Sequence, residues 1–417
     1  MNKLEIELIR EVNDIKPLES IWREISKTNG DDRFYLSYDW FYPLIHLSNK
    51  PLNNLHILLV KNGAKTVGIL PFLVTKKRKR IFYLKTLQLA GSAYSFEKGA
   101  AVQNSLSKPI AEAIANYLFD EFSSSWDIME FRSISPFDDF QSNLNLELKK
   151  RGAAFYQHDQ FTNIVTDLSQ FTDFEEFNKT LSKNFKRKIV KSINKMNRAG
   201  EFTIQVTNEQ SKNIDDSLNS YYKIYSKSWK TEEQDPTFHR RLGEYLHSKG
   251  MLRLFILCFR PASPSTGGRT ANAITSVGDS INPDSRCHDD SIPIASYFAI
   301  QQGKKTYGLK TAYDTEYGNF SPGSVLLYFL TKYLINEEKS TSLNHQKGTE
   351  QFKYHIGGKV FAEYLRCYAA NKHSFLATIE VLMDKHLVPI YRNCSKSQLF
   401  KRVQANMLQH RNKPSTG

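Results

Sequence analysis

The residues best suited to chemistry lie in one short run, Tyr313-Asp314-Thr315-Glu316-Tyr317-Gly318-Asn319-Phe320-Ser321-Pro322-Gly323. It leads from an apolar strand pattern into an apolar helix pattern. Ser321 suits a helix N-cap and Pro322 the first helical turn. Gly323 has no side chain to obstruct a ligand. A helix opened in this way offers free backbone N–H groups and the positive end of its dipole, which suits a pyrophosphate. Read without a ligand, the same residues make only a well-capped helix. A second run is Gly348-Thr349-Glu350-Gln351-Phe352-Lys353. Glu350 and Lys353 are three apart and share a face if the run is helical; by themselves they make a solvated ion pair.

A third feature is basic. Lys183, Lys186, Arg187, Lys188, Lys191, Lys195 and Arg198 share a stretch with no acidic residue. Phe185, Ile189, Ile193 and Met196 recur there every three or four residues, so one stripe faces a core and the rest is cationic. Such a surface suits phosphate or nucleic acid. The chain carries 57 basic and 43 acidic residues, a net charge of +14, which favours polyanionic partners without specifying a fold. There is no Walker A sequence, GxGxxG, HExxH or GxSxG, so hydrolase and kinase readings gain no support. His345 and His355 imply no metal site. Cys258, Cys287, Cys367 and Cys394 form no CxxC pair; reduced thiols in a cytoplasmic protein are the expectation.

These residues need a frame. A chain of 417 residues suggests two domains. Apolar residues at helical spacing fall at 16–27, 34–48 and 106–122. Strand patterns fall at 55–60, 66–75, 81–90 and 126–134, with Asn62-Gly63 as a hairpin turn. The basic run Lys76–Arg80 reads as a separator. In the second half, 174–200 reads as one long helix stopped by Gly200. Strand 202–207, helices 212–230 and 236–249, strands 252–259, 291–301 and 306–314, and helix 321–336 come after it. Residues 260–290, rich in Ser, Pro, Gly, Asp and Asn, read as a mobile insertion. The first residues lack the apolar centre of a signal peptide, and no run reaches the roughly 20 apolar residues of a membrane span.

Together these stretches resemble the GNAT-related acetyltransferases of the CelD (cellulose-biosynthesis) type, relatives of the Fem aminoacyltransferases. The likeness is carried, in order, by Phe34-Tyr35-Leu36-Ser37-Tyr38-Asp39-Trp40, Val67–Phe72, the 174–200 segment, Tyr222–Trp229, Pro293–Ser296, Tyr313-Asp314, Ser321–Leu327 and Gly348–Lys353. Asn344 stands where the family often has Asp, and Phe352 where it often has Tyr. The resemblance implies an α/β (α+β) fold of tandem GNAT-like lobes, each a mixed central sheet flanked by helices. The lobes would span 1–165 and 166–385, with a basic tail at 386–417.

The implied activity is transfer of an acyl group, acetyl first of all, from acyl-coenzyme A to a small-molecule amine, without a metal, in cell-envelope or polysaccharide biosynthesis. The alternatives are a Fem-like transferase using aminoacyl-tRNA and a non-catalytic accessory protein of polysaccharide biosynthesis. The resemblance implies a catalytic base among Asp314, Glu316 and Glu350. It implies donor phosphate at Ser321, Pro322, Gly323 and Ser324, with Lys353 pairing to phosphate or orienting a carboxylate. The developing oxyanion would take backbone donors from a splayed strand.

Overall fold

The computed structural model describes residues 3–28, 33–48, 54–92, 94–212, 214–231, 235, 237–262, 281–282 and 290–396. Its elements in chain order are β1 (Glu5–Ile9), α1 (Glu19–Thr28), α2 (Tyr38–His46), β2 (Leu55–Asn62), β3 (Lys65–Lys79), β4 (Phe82–Leu89), β5 (Ala101–Val102), α3 (Ser107–Phe119), β6 (Ile128–Ile134), α4 (Asp139–Lys150) and β7 (Phe155–Asp167). The second half continues with α5 (Phe174–Thr180), α6 (Lys183–Ala199), β8 (Gly200–Thr207), α7 (Asp215–Ser226), α8 (Phe238–Ser248), β9 (Leu252–Pro261), β10 (Ile281–Asn282), β11 (Ile292–Gln302) and β12 (Lys305–Tyr313). It closes with α9 (Pro322–Asn336), β13 (Ser342–Lys347), α10 (Gln351–His355), β14 (Lys359–Ala370) and α11 (Phe375–Lys396).

The strands form a mixed sheet flanked by helices, in the order β1-β2-β3-β4-β6-β14-β7-β13-β12-β11-β9-β8-β10 with β5 on β3. Each half repeats one motif, an antiparallel run and then a parallel step; the second half adds the two-residue β10 parallel to β8 at its edge. The steps are β4 to β6 and β12 to β13. The halves are not two separate sheets. β14, from the end of the chain, pairs with β6 of the first half, and β7, from the end of the first half, pairs with β13 of the second. β7 and β14 also pair with each other along most of their length. The expected border at 165 thus falls inside a strand that belongs to the other half's sheet.

Apolar faces explain the layering. Phe185, Ile189, Ile193 and Met196 of α6 are buried with α9 against β8, β9 and β11, as their spacing predicts. The opposite face of the second half packs α7 and α8 together with Phe34, Tyr35, Trp40 and Phe96 of the first half, so the halves share a core. In the first half α3 and α4 cover one face of the sheet and α1 and α2 the other.

Several expectations change. The 174–200 segment is two helices, because Ser182 stops one and caps the next by accepting the Phe185 N–H at 3.2 Å. Gly200 is extended rather than left-handed (φ 163°), and it is glycine because a Cβ there would lie 2.0 Å from the Arg260 carbonyl oxygen. The run Lys76–Lys79 is not a separator; it continues β3, with Lys76 and Arg78 exposed on alternate positions and Arg80 at the turn. Cys258 is not a reduced thiol but is disulfide-bonded, to a cysteine whose side chain is not among those described, whereas Cys367 is a free buried thiol. Apart from its two ends and β10, the 260–290 insertion lies outside the described residues, as does 397–417 of the basic tail.

Candidate functional site

β12 and β13 pair only over Lys305–Tyr307 and Ser342–Asn344. Beyond that they part, β12 staying with β11 and β13 with β7. A cavity of about 340 Å³ occupies the gap. One wall is the free side of β12 at Gly308–Thr311, and another is the end of β13 at His345–Lys347. Glu350, Phe352 and Lys353 close it from around α10, and Trp229 and Lys230 from the loop after α7. Tyr94, Ser95 and Phe96 reach in from the first half.

The β12 wall is irregular. Ala299 lies opposite Gly308 and Phe298 opposite Lys310, so Leu309 is an extra residue outside the ladder. Such a bulge frees backbone polar groups and re-aims them. Gly308 is obligatory there: a Cβ would fall 2.0 Å from the Tyr297 hydroxyl. Tyr297 lines the cavity, and burial raises its pKa well above the usual phenol range, so its hydroxyl remains a donor.

The β13 wall holds a neutral imidazole. His345 is buried, and its Nε2 lies 2.9 Å from the Thr166 hydroxyl, which donates onward to the Ile356 carbonyl at 3.3 Å. With the Thr166 hydroxyl donating to Ile356, the hydrogen-bond pattern assigns the His345 proton to Nε2, and Nδ1 has no partner among the described residues. Burial, then the charge of Lys353, push His345 down to about 3. The turn after it is held by Asn344, whose Oδ1 accepts from Asn163 and from the Gln346 N–H, each at 2.8 Å. Gln346 in turn donates to the Tyr35 hydroxyl. The Phe34–Trp40 motif thus buttresses the site, and Trp40 Nε1 donates to Ser95 Oγ at 3.0 Å behind the cavity wall.

The residues singled out in the sequence form two groups. Glu350 and Lys353 belong to the cavity, paired at 2.8 Å three residues apart as their spacing predicts. Lys353 is buried and also donates to the Lys347 carbonyl at 2.6 Å. Burial opposes ionisation of Glu350, but the Lys353 hydrogen bond and charge outweigh it and hold its carboxyl below the usual range. Burial lowers Lys353, and Glu350 partly restores it.

The second group stands behind the cavity. Asp314 is fully buried; it accepts the Glu316 N–H at 3.0 Å and the Lys227 ammonium at 3.2 Å. Glu316 is exposed, 3.6 Å from the same lysine. Neither lines the cavity, and Asp314 spends its oxygens on structure. Ser321 is at the expected N-cap, but in the left-handed region (φ 50°), and its hydroxyl makes no cap; only its carbonyl serves the helix, accepting from Ser324 and Val325. Pro322 takes the first turn as expected. At Gly323 an added Cβ would meet nothing nearer than Tyr313 Cδ1 at 3.5 Å, so packing does not demand glycine there. Tyr313 packs on Trp229 of the cavity wall, with ring centres 4.6 Å apart. Lys195 of the basic helix reaches the Asn319 carbonyl at 3.4 Å, bringing its cationic face beside the start of α9.

Tyr297 and His345 do not stand out as site residues in the sequence. A glycine inside the β12 pattern is the available signal for the first; His345 carries none. Among the described residues no group of side chains could hold a metal ion, and no helix is long and apolar enough to cross a membrane.

Residues 285–354, which carry β11, β12, α9, β13 and the start of α10, match the family described as acetyltransferase (GNAT) domain. The fold of the whole chain, a mixed sheet flanked by helices, is also found among solved structures. The crystal structure of FemX shares it with a TM-score of 0.55 at 13% identity, covering 88% of this chain and 98% of that one. A tandem GNAT protein from the clavulanic acid biosynthesis pathway aligns over 88% of this chain and 98% of its own at 10% identity, with a TM-score of 0.48. The C-terminal domain of a putative lysylphosphatidylglycerol synthetase from Agrobacterium fabrum aligns over 87% and 96% at 11% identity, with a TM-score of 0.45. No curated protein matches the sequence. The GNAT match covers the two strands that part and so contributes two walls of the cavity, while Tyr94–Phe96, Trp229 and Lys230 lie outside it.

Proposed function

We propose that the protein is an N-acyltransferase that moves an acyl group from acyl-coenzyme A to a small-molecule amine at the gap between β12 and β13. The observation that carries this is the gap itself: a bulged strand, a proton-accepting carboxylate and a hydroxyl donor meet in one cavity. The donor carbonyl would lie along Gly308–Leu309, where backbone N–H groups stabilise the developing oxyanion. Donor phosphate would take the start of α9, where Gly323 leaves clearance and Lys195 adds charge. The amine enters past Tyr94–Phe96.

The amine nitrogen forms the new bond to the carbonyl carbon, the carbon–sulfur bond breaks, and the sulfur leaves with the electron pair. Glu350, kept ionised by Lys353 and open to water, takes the proton from the amine and releases it to solvent. His345 Nδ1 accepts a hydrogen bond from the attacking amine and so orients it. Tyr297 donates a hydrogen bond to the leaving sulfur, which takes up its proton from solvent, where Glu350 has released the one from the amine. Asp314 and Glu316 then serve the approach to α9 rather than the proton transfer. Cytoplasmic location and a place in envelope polysaccharide synthesis belong to the same reading, on the strength of the family resemblance.

Calorimetric titration of the chain with acetyl-coenzyme A and coenzyme A, with thiol release then measured across a panel of amines, tests this. Saturable binding and amine-dependent thiol release are expected. No binding at millimolar donor would overturn the coenzyme A assignment. The second reading would then lead: an aminoacyl-tRNA donor, favoured by the exposed cationic face of α6.

A further inference from the structure

A second concentration of charge lies outside the cavity, on the sheet of the first half. Glu130 of β6 is fully buried at its side chain and shared by three cations: Lys79 of β3 on Oε2, and Arg132 of β6 and Arg366 of β14 on Oε1. Two further lysines feel the same carboxylate, Lys77 of β3 and Lys98 from the segment after β4. Among the described residues neither ammonium has an ion-pair or hydrogen-bond partner. Arg366 Nε is also buried without an acceptor. The acidic residues of α11 that reach this sheet, Glu380 and Asp384, are engaged by Arg80. Five cations therefore face one carboxylate that is already shared.

Such an arrangement costs energy unless negative charge arrives from outside. Burial and the crowding of cations lower the lysine pKa values. Burial first, then Arg132, Lys77 and Lys347, bring Lys98 down to about 8 against the pull of Glu130, and Lys77 is lowered by burial and the neighbouring cations in the same way. Lys347 belongs at once to this field and to the wall of the cavity, so the basin and the cavity adjoin. Ammonium groups beside guanidinium forks match the several oxygens and double charge of a phosphate better than a single carboxylate.

We propose that Lys77, Lys98, Arg132 and Arg366 form an anion subsite that holds a phosphate group of the acceptor, with the amine of that acceptor directed past Lys347 into the cavity. The link to the acceptor rests on the acyl-transfer reading; the binding of phosphate does not. The donor phosphate is assigned elsewhere, at the start of α9, so the two substrates approach by different walls.

The test uses the full chain, titrated by calorimetry with inorganic phosphate and, separately, by flotation with vesicles of phosphatidylcholine alone or mixed with phosphatidylglycerol. Lys98→Met and Lys77→Met are the variants, with Lys65→Met, an exposed lysine paired with Glu24 away from both sites, as control. Wild type and Lys65→Met should bind phosphate alike, Lys98→Met and Lys77→Met at least fivefold more weakly. The melting temperature of Lys98→Met without ligand should equal or exceed that of wild type, since an unpaired charge has gone. In the wild type, the Lys98 titration followed by NMR of methyl-labelled lysines should move upward when phosphate is added. Binding of phosphate places the source in a soluble phosphorylated acceptor; binding only to phosphatidylglycerol vesicles, lost in Lys98→Met, places it in a lipid headgroup. Equal affinities in wild type and Lys98→Met, or no binding of either probe, overturns the proposal. Lys98-dependent phosphate binding without donor binding would leave the basin standing and remove the acyl-transfer reading.

Discussion

The chain builds the same opening twice and fills it once. In the first half β4 and β6 touch only at Thr86–Leu87 and Ile128–Met129. In the second half β12 and β13 touch only at their starts. After the first parting the chain continues as the segment 90–100. Ala90 still donates to Pro71 of β3 at 2.8 Å, and Lys98 donates to Ser133 of β6 at 3.0 Å, so the segment crosses the gap. Arg33 fixes it through Glu97 at 2.8 Å and Asp138 at 2.5 Å. No such crossing is seen after β12 among the described residues, and the gap there remains a cavity. The stopper of the first opening supplies Tyr94–Phe96 to the wall of the second. Parting strands alone therefore make no site; the segment that comes after them decides whether the opening is scaffold or receptacle.

That contrast can be broken at its strongest point, Arg33. Removing it leaves Glu97 and Asp138 buried without their cation. Arg33→Ala should cost about 3–5 kcal/mol in denaturant unfolding. A loss below about 1 kcal/mol would mean that the stopper is not what holds the first half closed. The second opening should respond to acid instead. His345 is held neutral with its pKa lowered from 6.5 to about 3. Its contribution is full above pH 6.5 and is lost as pH falls toward 3, at up to about 1.4 kcal/mol per pH unit. Unfolding curves of wild type and His345→Gln across that window should differ in slope, the variant being flatter; parallel slopes would show that His345 is not buried in the neutral form.

Gly308 sharpens the comparison further. Gly308→Ala forces a methyl against the Tyr297 hydroxyl, costing about 1–3 kcal/mol in stability. Displacing the bulge should slow turnover about a hundredfold, on the order of losing one oxyanion donor. Gly91→Ala in the stopper, crowded by Lys98 and Ser95 at 3.0 Å, should lower stability and, because Ser95 lines the cavity, slow turnover less than Gly308→Ala does. The smallest effect belongs to Gly323→Ala. Its methyl meets only an ordinary contact, so melting should stay within about 0.5 kcal/mol of wild type or rise. Donor affinity should nevertheless fall about tenfold as a phosphate contact is lost. Unchanged affinity would leave that helix start as a plain terminus.

The local elements were legible because period and punctuation are local. The stripe of α6, the turn at Asn62-Gly63 and the Glu350–Lys353 pair all appear where spacing puts them. β14 was not legible, since its alternation is masked by bulges at Val360–Ala362 and Tyr364–Leu365, and its partner β6 is set by pairing across more than 200 residues. Lys76–Lys79 resembles a loop because a charge run hides that Lys79 turns inward to Glu130. The same limit holds at the site. The ion pair of Glu350 with Lys353 is readable from spacing. Asp314 has the look of a reactive group because only the fold reveals that its oxygens are already bound. His345 acquires its character from Thr166 and from burial, neither of which lies near it in sequence.

The exchange of β7 and β14 between the halves also governs how the chain comes into being. On the ribosome β6 is complete by Ile134, yet its neighbour β14 is not synthesised until Lys359–Ala370. Until then the first half carries an unpaired strand edge, the kind of edge that recruits strands from other chains. β7 likewise waits for β13. A nascent chain released early is thus a sticky fragment rather than a finished lobe, and chaperone binding to ribosome-stalled chains should persist until residue 370 has emerged and fall sharply thereafter.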